Sequence, residues 1–131
     1  MLFVAMAIAF TAISCGGNSE NTDDPTIGAA GSTCTATGGQ VSIAADNLEY
    51  DKSCLAVPAN QDFIVNFDNL EALPHNVVIL KDKDSSDSLY SGSIFTGPKK
   101  VAYQVKGMPA GTYRFHCSVH PTQMQGTFIV Q

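Results

Sequence analysis

Near the end of this 131-residue chain, the stretch YRFHCSVHPTQM, residues 113–124, carries His116, Cys117, His120 and Met124 within nine positions. A thiol, two imidazoles and a thioether so close together admit three chemistries: a metal centre, a cysteine nucleophile with a histidine base, or a core strand in which Cys and Met are filler. The nucleophile needs a base oriented by a further group, and the aromatic neighbours of Cys117 offer only the histidines. The remaining histidine of the chain is His75, in LPHNVVIL, residues 73–80.

Which of these donors converge depends on the strands that carry them. Side chains alternate between the two faces of a strand, so in GTYRFHCS the residues Tyr113, Phe115 and Cys117 share one face and Arg114, His116 and Ser118 the other. The aromatic set must face the core, which turns Cys117 inward and removes His116 to the outer face. By the same alternation His75, Val77 and Ile79 form the inward set of their own strand. His75, Cys117, His120 and Met124 remain. Two imidazoles and a thiolate with a weak axial thioether are the donor set of an electron-transfer copper centre. A structural zinc site would take the Cys and both His but wants a fourth strong donor, which the sequence does not show.

The frame around these donors reads as short strands. QDFIVNFD puts Phe63, Val65 and Phe67 on one face, and HNVVIL, KKVAYQVK, GTYRFHCS and GTFIV follow, divided by EALP, KDKDSSD, TGP and MPA; the charged run KDKDSSD reads as a plain solvated loop. No stretch has a helical period. The expected fold is all-β, a Greek-key sandwich or barrel of about seven or eight strands.

LPHNVVIL, then YRFHCSVHPTQM and a closing GTFIV, resemble the small blue, type 1 copper proteins, the plastocyanin and azurin group of cupredoxins, over roughly residues 38–131. The resemblance implies one copper ion held by His75, Cys117 and His120 as equatorial ligands and Met124 as the axial one. The spacing C-x-x-H-x-x-x-M is one residue off that of plastocyanins, and because glutamine replaces methionine in some relatives, Gln123 stands beside Met124 as the alternative. It also implies that the side chain of Asn76 ties its loop to Ser118, the residue after the cysteine. The function implied is one-electron transfer between Cu(I) and Cu(II) without substrate turnover. Electrons would leave through the edge of His120, inside an apolar rim formed by Pro121, residues 72–74 and residues 107–111, suited to brief docking with redox partner proteins. A copper-handling module that delivers the ion to another protein is the first rival, and a metal-dependent enzyme the second; the enzyme would need an open coordination position and an acid-base partner.

The rest of the sequence sets the context. A net charge of −5 with no Lys/Arg cluster excludes nucleic acid as a partner. Residues 1–14, MLFVAMAIAFTAIS, are too short an apolar run to span a bilayer and read as a signal peptide. Ser14-Cys15-Gly16-Gly17 resembles the lipobox of bacterial lipoproteins, which makes Cys15 a lipidated mature N-terminus on a membrane, although Ala12 stands where Leu is usual; ordinary signal-peptidase cleavage is the alternative. Gly, Ser, Asn and acidic residues over 15–33 make a flexible tether to a domain over residues 34–131. In an exported, oxidised setting Cys34 and Cys54 are expected to pair and Cys117 to stay a thiolate. Nothing requires more than a monomer on the extracytoplasmic or periplasmic side.

Overall fold

Strict alternation of buried and part-buried side chains is longest in β4, Phe63–Asn69, and this strand organises one sheet. The computed structural model describes residues 34–82 and 84–131; the expected signal peptide, Cys15 and the tether lie outside the described residues. The other strands are β1 (Gln40–Asp46), β2 (Glu49–Tyr50), β3 (Cys54–Val57), β5 (Pro74–His75), β6 (Val78–Leu80), β7 (Ser88–Ser91), β8 (Phe95–Thr96), β9 (Lys99–Val105), β10 (Gly111–His116) and β11 (Gln125–Val130). No helix occurs among the described residues.

One sheet has the order β2-β1-β4-β9, a second β3-β11-β10-β6-β7, and β5 with β8 forms a small separate ladder. The chain passes repeatedly from sheet to sheet, so that β1 runs parallel to β4 and β3 parallel to β11. This is the expected β-sandwich, with more and shorter strands than the sequence suggests. Ile43, Phe63, Val65, Phe67, Tyr103 and Val105 of the first sheet meet Leu55, Val57, Ile79, Phe115, Phe128 and Val130 of the second in one core. The Phe63 and Phe128 rings, one from each sheet, lie 5.4 Å apart, as do Tyr50 and Phe115. Burying each such ring contributes about 2–3 kcal/mol.

Two strand-forming segments are broken, each in a way that bears on the site. QVSIAADNLEY is the hairpin β1–β2, whose turn residues Asn47 and Leu48 both take positive φ, 52° and 63°; a two-residue turn of this kind matches the twist of its strands. HNVVIL is divided at Asn76 and Val77. His75 pairs with Phe95 in the small ladder, whereas Val78–Leu80 pairs with β10 and β7. Between them Val77 accepts a bond from the Gly92 N–H, and the side chain of Asn76 turns inward. Strict alternation would have sent Asn76 to solvent.

The expected disulfide is present: Cys34 is bonded to Cys54, and Cys117 is a free, buried thiol. The KDKDSSD run is a loop closed by local bonds, the Lys81 N–H to the Asp87 carbonyl and the Asp87 N–H to Ser85 Oγ.

Candidate metal centre

Strand β10 delivers Cys117 to one end of the sandwich. Phe115 and Cys117 are fully buried and Tyr113 partly so, as alternation requires, while His116 is on the outer face, half-buried, beside Val78 and Gln125 of the flanking strands. Burial, and then the neighbouring Arg114, hold the His116 imidazole below its ordinary value, so it is neutral near pH 7. It takes no part in the centre.

Residues 117–124 form a turn that folds back on itself. The Cys117 N–H donates to the Met124 carbonyl at 2.9 Å, and the Met124 N–H to the His120 carbonyl at 3.0 Å. Arg114 braces this turn from outside, donating to the carbonyl of Pro121 at 3.2 Å and to the side chain of Gln125. Cys117 and Met124 therefore stand together at the top of the core, both fully buried, and His120 is partly exposed beside them. Gln123 is exposed.

His75 arrives from β5 and is fully buried. Its Nδ1 lies 3.7 Å from Cys117 Sγ and 3.2 Å from His120 Nδ1, and His120 Nδ1 lies 3.9 Å from Cys117 Sγ. The fit to a metal ion follows from this triangle. The point equidistant from its three corners is about 2.1 Å from each, the length of a bond from a first-row metal to nitrogen and close to that for thiolate sulfur. Two imidazole nitrogens and one cysteine sulfur converge on one point, which is the equatorial arrangement of a type 1 copper centre.

The surroundings hold this geometry. Asn76, 1 % exposed, accepts at Oδ1 from both the N–H and the hydroxyl of Ser118, each at 3.0 Å, and donates through Nδ2 to the Gly92 carbonyl at 2.8 Å. The tie between Asn76 and Ser118 is the one that the resemblance implies. Tyr50 Oη donates to the carbonyl of Asn76.

Three residues of the site's frame went unread in the sequence. Glu71 Oε1 is 2.8 Å from His75 Nε2 and also accepts from the Leu48 N–H at 2.9 Å. The Leu48 N–H first, and the His75 imidazole with it, outweigh burial and hold the Glu71 carboxyl below the usual carboxylate range. Asn69, wholly buried at the end of β4, bonds the Leu73 and Phe95 carbonyls through Nδ2 and the Glu71 N–H through Oδ1. Tyr50 is the third. The signal that could have found Glu71 is an acid four residues before a ligating histidine in NLEALPHN.

The apolar rim needs a correction. Residues 107–110 precede β10 and Gly111 opens it, so all lie at the end of that strand opposite Cys117, where the Asn60 N–H donates to the Met108 carbonyl and Gly107 abuts Gln61. Six residues of strand at about 3.3 Å each place them some 20 Å away. The exposed apolar side chains Leu70, Leu73, Ile94 and Val119 instead belong to the loops that carry the donors or pair with them.

Solved structures bear on the fold as a whole. The chain is similar to an auracyanin from the photosynthetic bacterium Roseiflexus castenholzii, at 25 % identity and a TM-score of 0.64, over 73 % of this chain and 98 % of that one. It is similar in fold to auracyanin A, a "blue" copper protein of the green thermophilic photosynthetic bacterium Chloroflexus aurantiacus, at 23 % identity and a TM-score of 0.62, over 72 % and 99 % of the two chains. A mutant of amicyanin in its reduced state matches at 28 % identity and a TM-score of 0.54, over 71 % of this chain and 83 % of that one. No functionally curated protein matches the chain. A family model described as the cupredoxin-like domain matches residues 2–130, and with that fold and that donor triangle the chain belongs to the cupredoxin-like family.

Proposed function

We propose that the protein is a one-electron carrier whose single copper ion is held by His75, Cys117, His120 and, axially, Met124. The observation that carries this reading is the triangle of Nδ1, Nδ1 and Sγ atoms with sides of 3.2, 3.7 and 3.9 Å, set at one end of a rigid sandwich. Bound copper would supply a couple between Cu(I) and Cu(II). The chain's part is to keep the donors still through that change. Three fully buried donors, the Asn76 amide bonded through both its oxygen and its nitrogen, and a turn closed by its own backbone bonds do so. Met124 rather than Gln123 is the axial donor because its side chain is buried against the core and that of Gln123 is in solvent.

Burial of His75 and Cys117 weighs against a delivery module, which exchanges its ion through exposed ligands. The carboxylate at the site, Glu71, is committed to His75 and Leu48 and is no acid-base partner for a substrate, which weighs against an enzyme. The partly exposed His120 is the route for electrons, and Leu70, Leu73, Ile94, Val119 and Pro121 around the ligand loops make the apolar surface for a transient redox partner. The Cys34–Cys54 disulfide supports an oxidising, extracytoplasmic location. Lipidation at Cys15 would tether a monomeric domain over residues 34–131 to a membrane through the 15–33 segment.

Addition of copper(II) to the domain from residue 32 onward should produce the intense visible absorption of a thiolate–copper(II) bond, and Cys117→Ser should abolish it. A colourless wild-type domain would sink the proposal.

A further inference from the structure

The donor set leaves one short contact of the centre unexplained. His75 is fully buried, so its outer nitrogen cannot reach water, and the group that meets it is the carboxylate of Glu71, 2.8 Å from Nε2. An ionised carboxylate can only accept. Nε2 therefore carries the proton, and Nδ1 presents its lone pair toward Cys117 Sγ and His120 Nδ1. The same oxygen takes the N–H of Leu48, at the tip of the β1–β2 hairpin, where a residue with a branched side chain sits at φ 63°. Glu71 is itself held in place: its N–H bonds Asn69 Oδ1 at 3.2 Å and its carbonyl accepts from the Gly97 N–H at 3.0 Å. A carboxylate fixed at both its backbone and its side chain, and only 17 % exposed, is a built feature of the site.

We propose that Glu71 is a positioning residue of the metal centre: it fixes the tautomer and ring orientation of His75 and places a negative charge behind that ligand, favouring the more oxidised state of the bound metal. This rests on the reading of His75 as a ligand. The carboxylate raises the basicity of the imidazole, and a more basic ligand stabilises copper(II) more than copper(I).

Glu71→Gln separates the charge from the hydrogen bond, because the amide oxygen still accepts from His75 and Leu48. It should weaken copper(II) binding about tenfold more than copper(I) binding, which for one electron is a rise in reduction potential of about 59 mV. Glu71→Ala removes the acceptor as well and should lower affinity for zinc(II), which has no redox change, by about 10- to 100-fold. Glutamine should restore most of that loss. A residue with a merely structural role would lower the unfolding midpoint of both metal-free variants and leave the potential of Glu71→Gln at the wild-type value, and that result overturns the proposal. Unchanged zinc(II) affinity in Glu71→Ala overturns it equally. The zinc(II) series keeps the two readings apart: a wild-type domain that takes zinc(II) with these differences but never turns blue would refute the electron carrier and support the role of Glu71.

Discussion

Asn76 uses both ends of its amide: Oδ1 takes two donors from Ser118, and Nδ2 gives to Gly92. Asn76→Leu, of similar size, would leave the part-buried Ser118 N–H and the buried Gly92 carbonyl without this partner. At about 1–3 kcal/mol for each orphaned group, the metal-free domain should lose about 2–4 kcal/mol, read as a lower midpoint of urea unfolding with an unchanged slope. Met124 differs, because its weight is electronic. Leucine fills nearly the same volume, so Met124→Leu should cost less than about 1.5 kcal/mol of stability. It should keep the blue colour and raise the reduction potential, since the weak thioether favours copper(II). An unchanged potential, measured by titration against redox dyes, would deny Met124 the axial role.

At the scale of elements, the alternation in GTYRFHCS was enough to turn Cys117 inward and His116 outward, since β10 is a regular central strand with partners on both sides. The same rule applied to HNVVIL placed His75 correctly but not Asn76, because the strand breaks where the Asn76 side chain finds Ser118, forty-two residues away in sequence. Glu71, Asn69 and Tyr50 were illegible for a related reason. Their bonds join three separate connections, and no local pattern encodes a contact such as Leu48 to Glu71. The joint where these connections meet admits no side chain at Gly97: a Cβ there would collide with the Asn69 carbonyl oxygen and stand 2.6 Å from that of Glu71. Both neighbours are backbone, so neither can swing aside. Gly97→Ala should therefore push the 69–71 segment away, lowering both stability and zinc(II) affinity, whereas Gly38→Ala, with nothing within 4 Å of the new atom, should change neither. The Cys34–Cys54 bridge closes a separation of 20 residues, which in the chain-entropy account contributes about 3 kcal/mol. Cys34→Ser with Cys54→Ser should lower the melting temperature and leave the spectrum of the copper-loaded domain unchanged, because Cys54 pairs with Thr127 rather than with any ligand.

The molecule as a whole holds two of its tyrosines inside the core that supports the metal end. Tyr50 packs between Phe67 and Phe115, and Tyr103 stacks on Phe67 and donates its hydroxyl to the Ser93 carbonyl. Burial first, with Cys117 and Tyr103 adding to it, holds the Tyr50 hydroxyl well above the ordinary value of 10.0; burial, then Tyr90 and Cys117, does the same for Tyr103. A phenol whose folded value is raised favours the folded state fully below the unfolded value, near pH 10, and that contribution is lost as pH climbs toward the folded value. The metal-free domain should thus lose stability progressively above pH 10 as the unfolded chain gives up protons that the core retains. Tyr103→Phe removes one of these protons from the balance. At neutral pH the variant should be slightly less stable, by about 1 kcal/mol for the lost bond to Ser93. At pH of about 11, where free tyrosine is mostly ionised, the wild-type advantage should shrink or reverse. Urea midpoints for the two proteins across this range decide it, and a gap between them that stays constant with pH would show that the Tyr103 proton is not linked to folding.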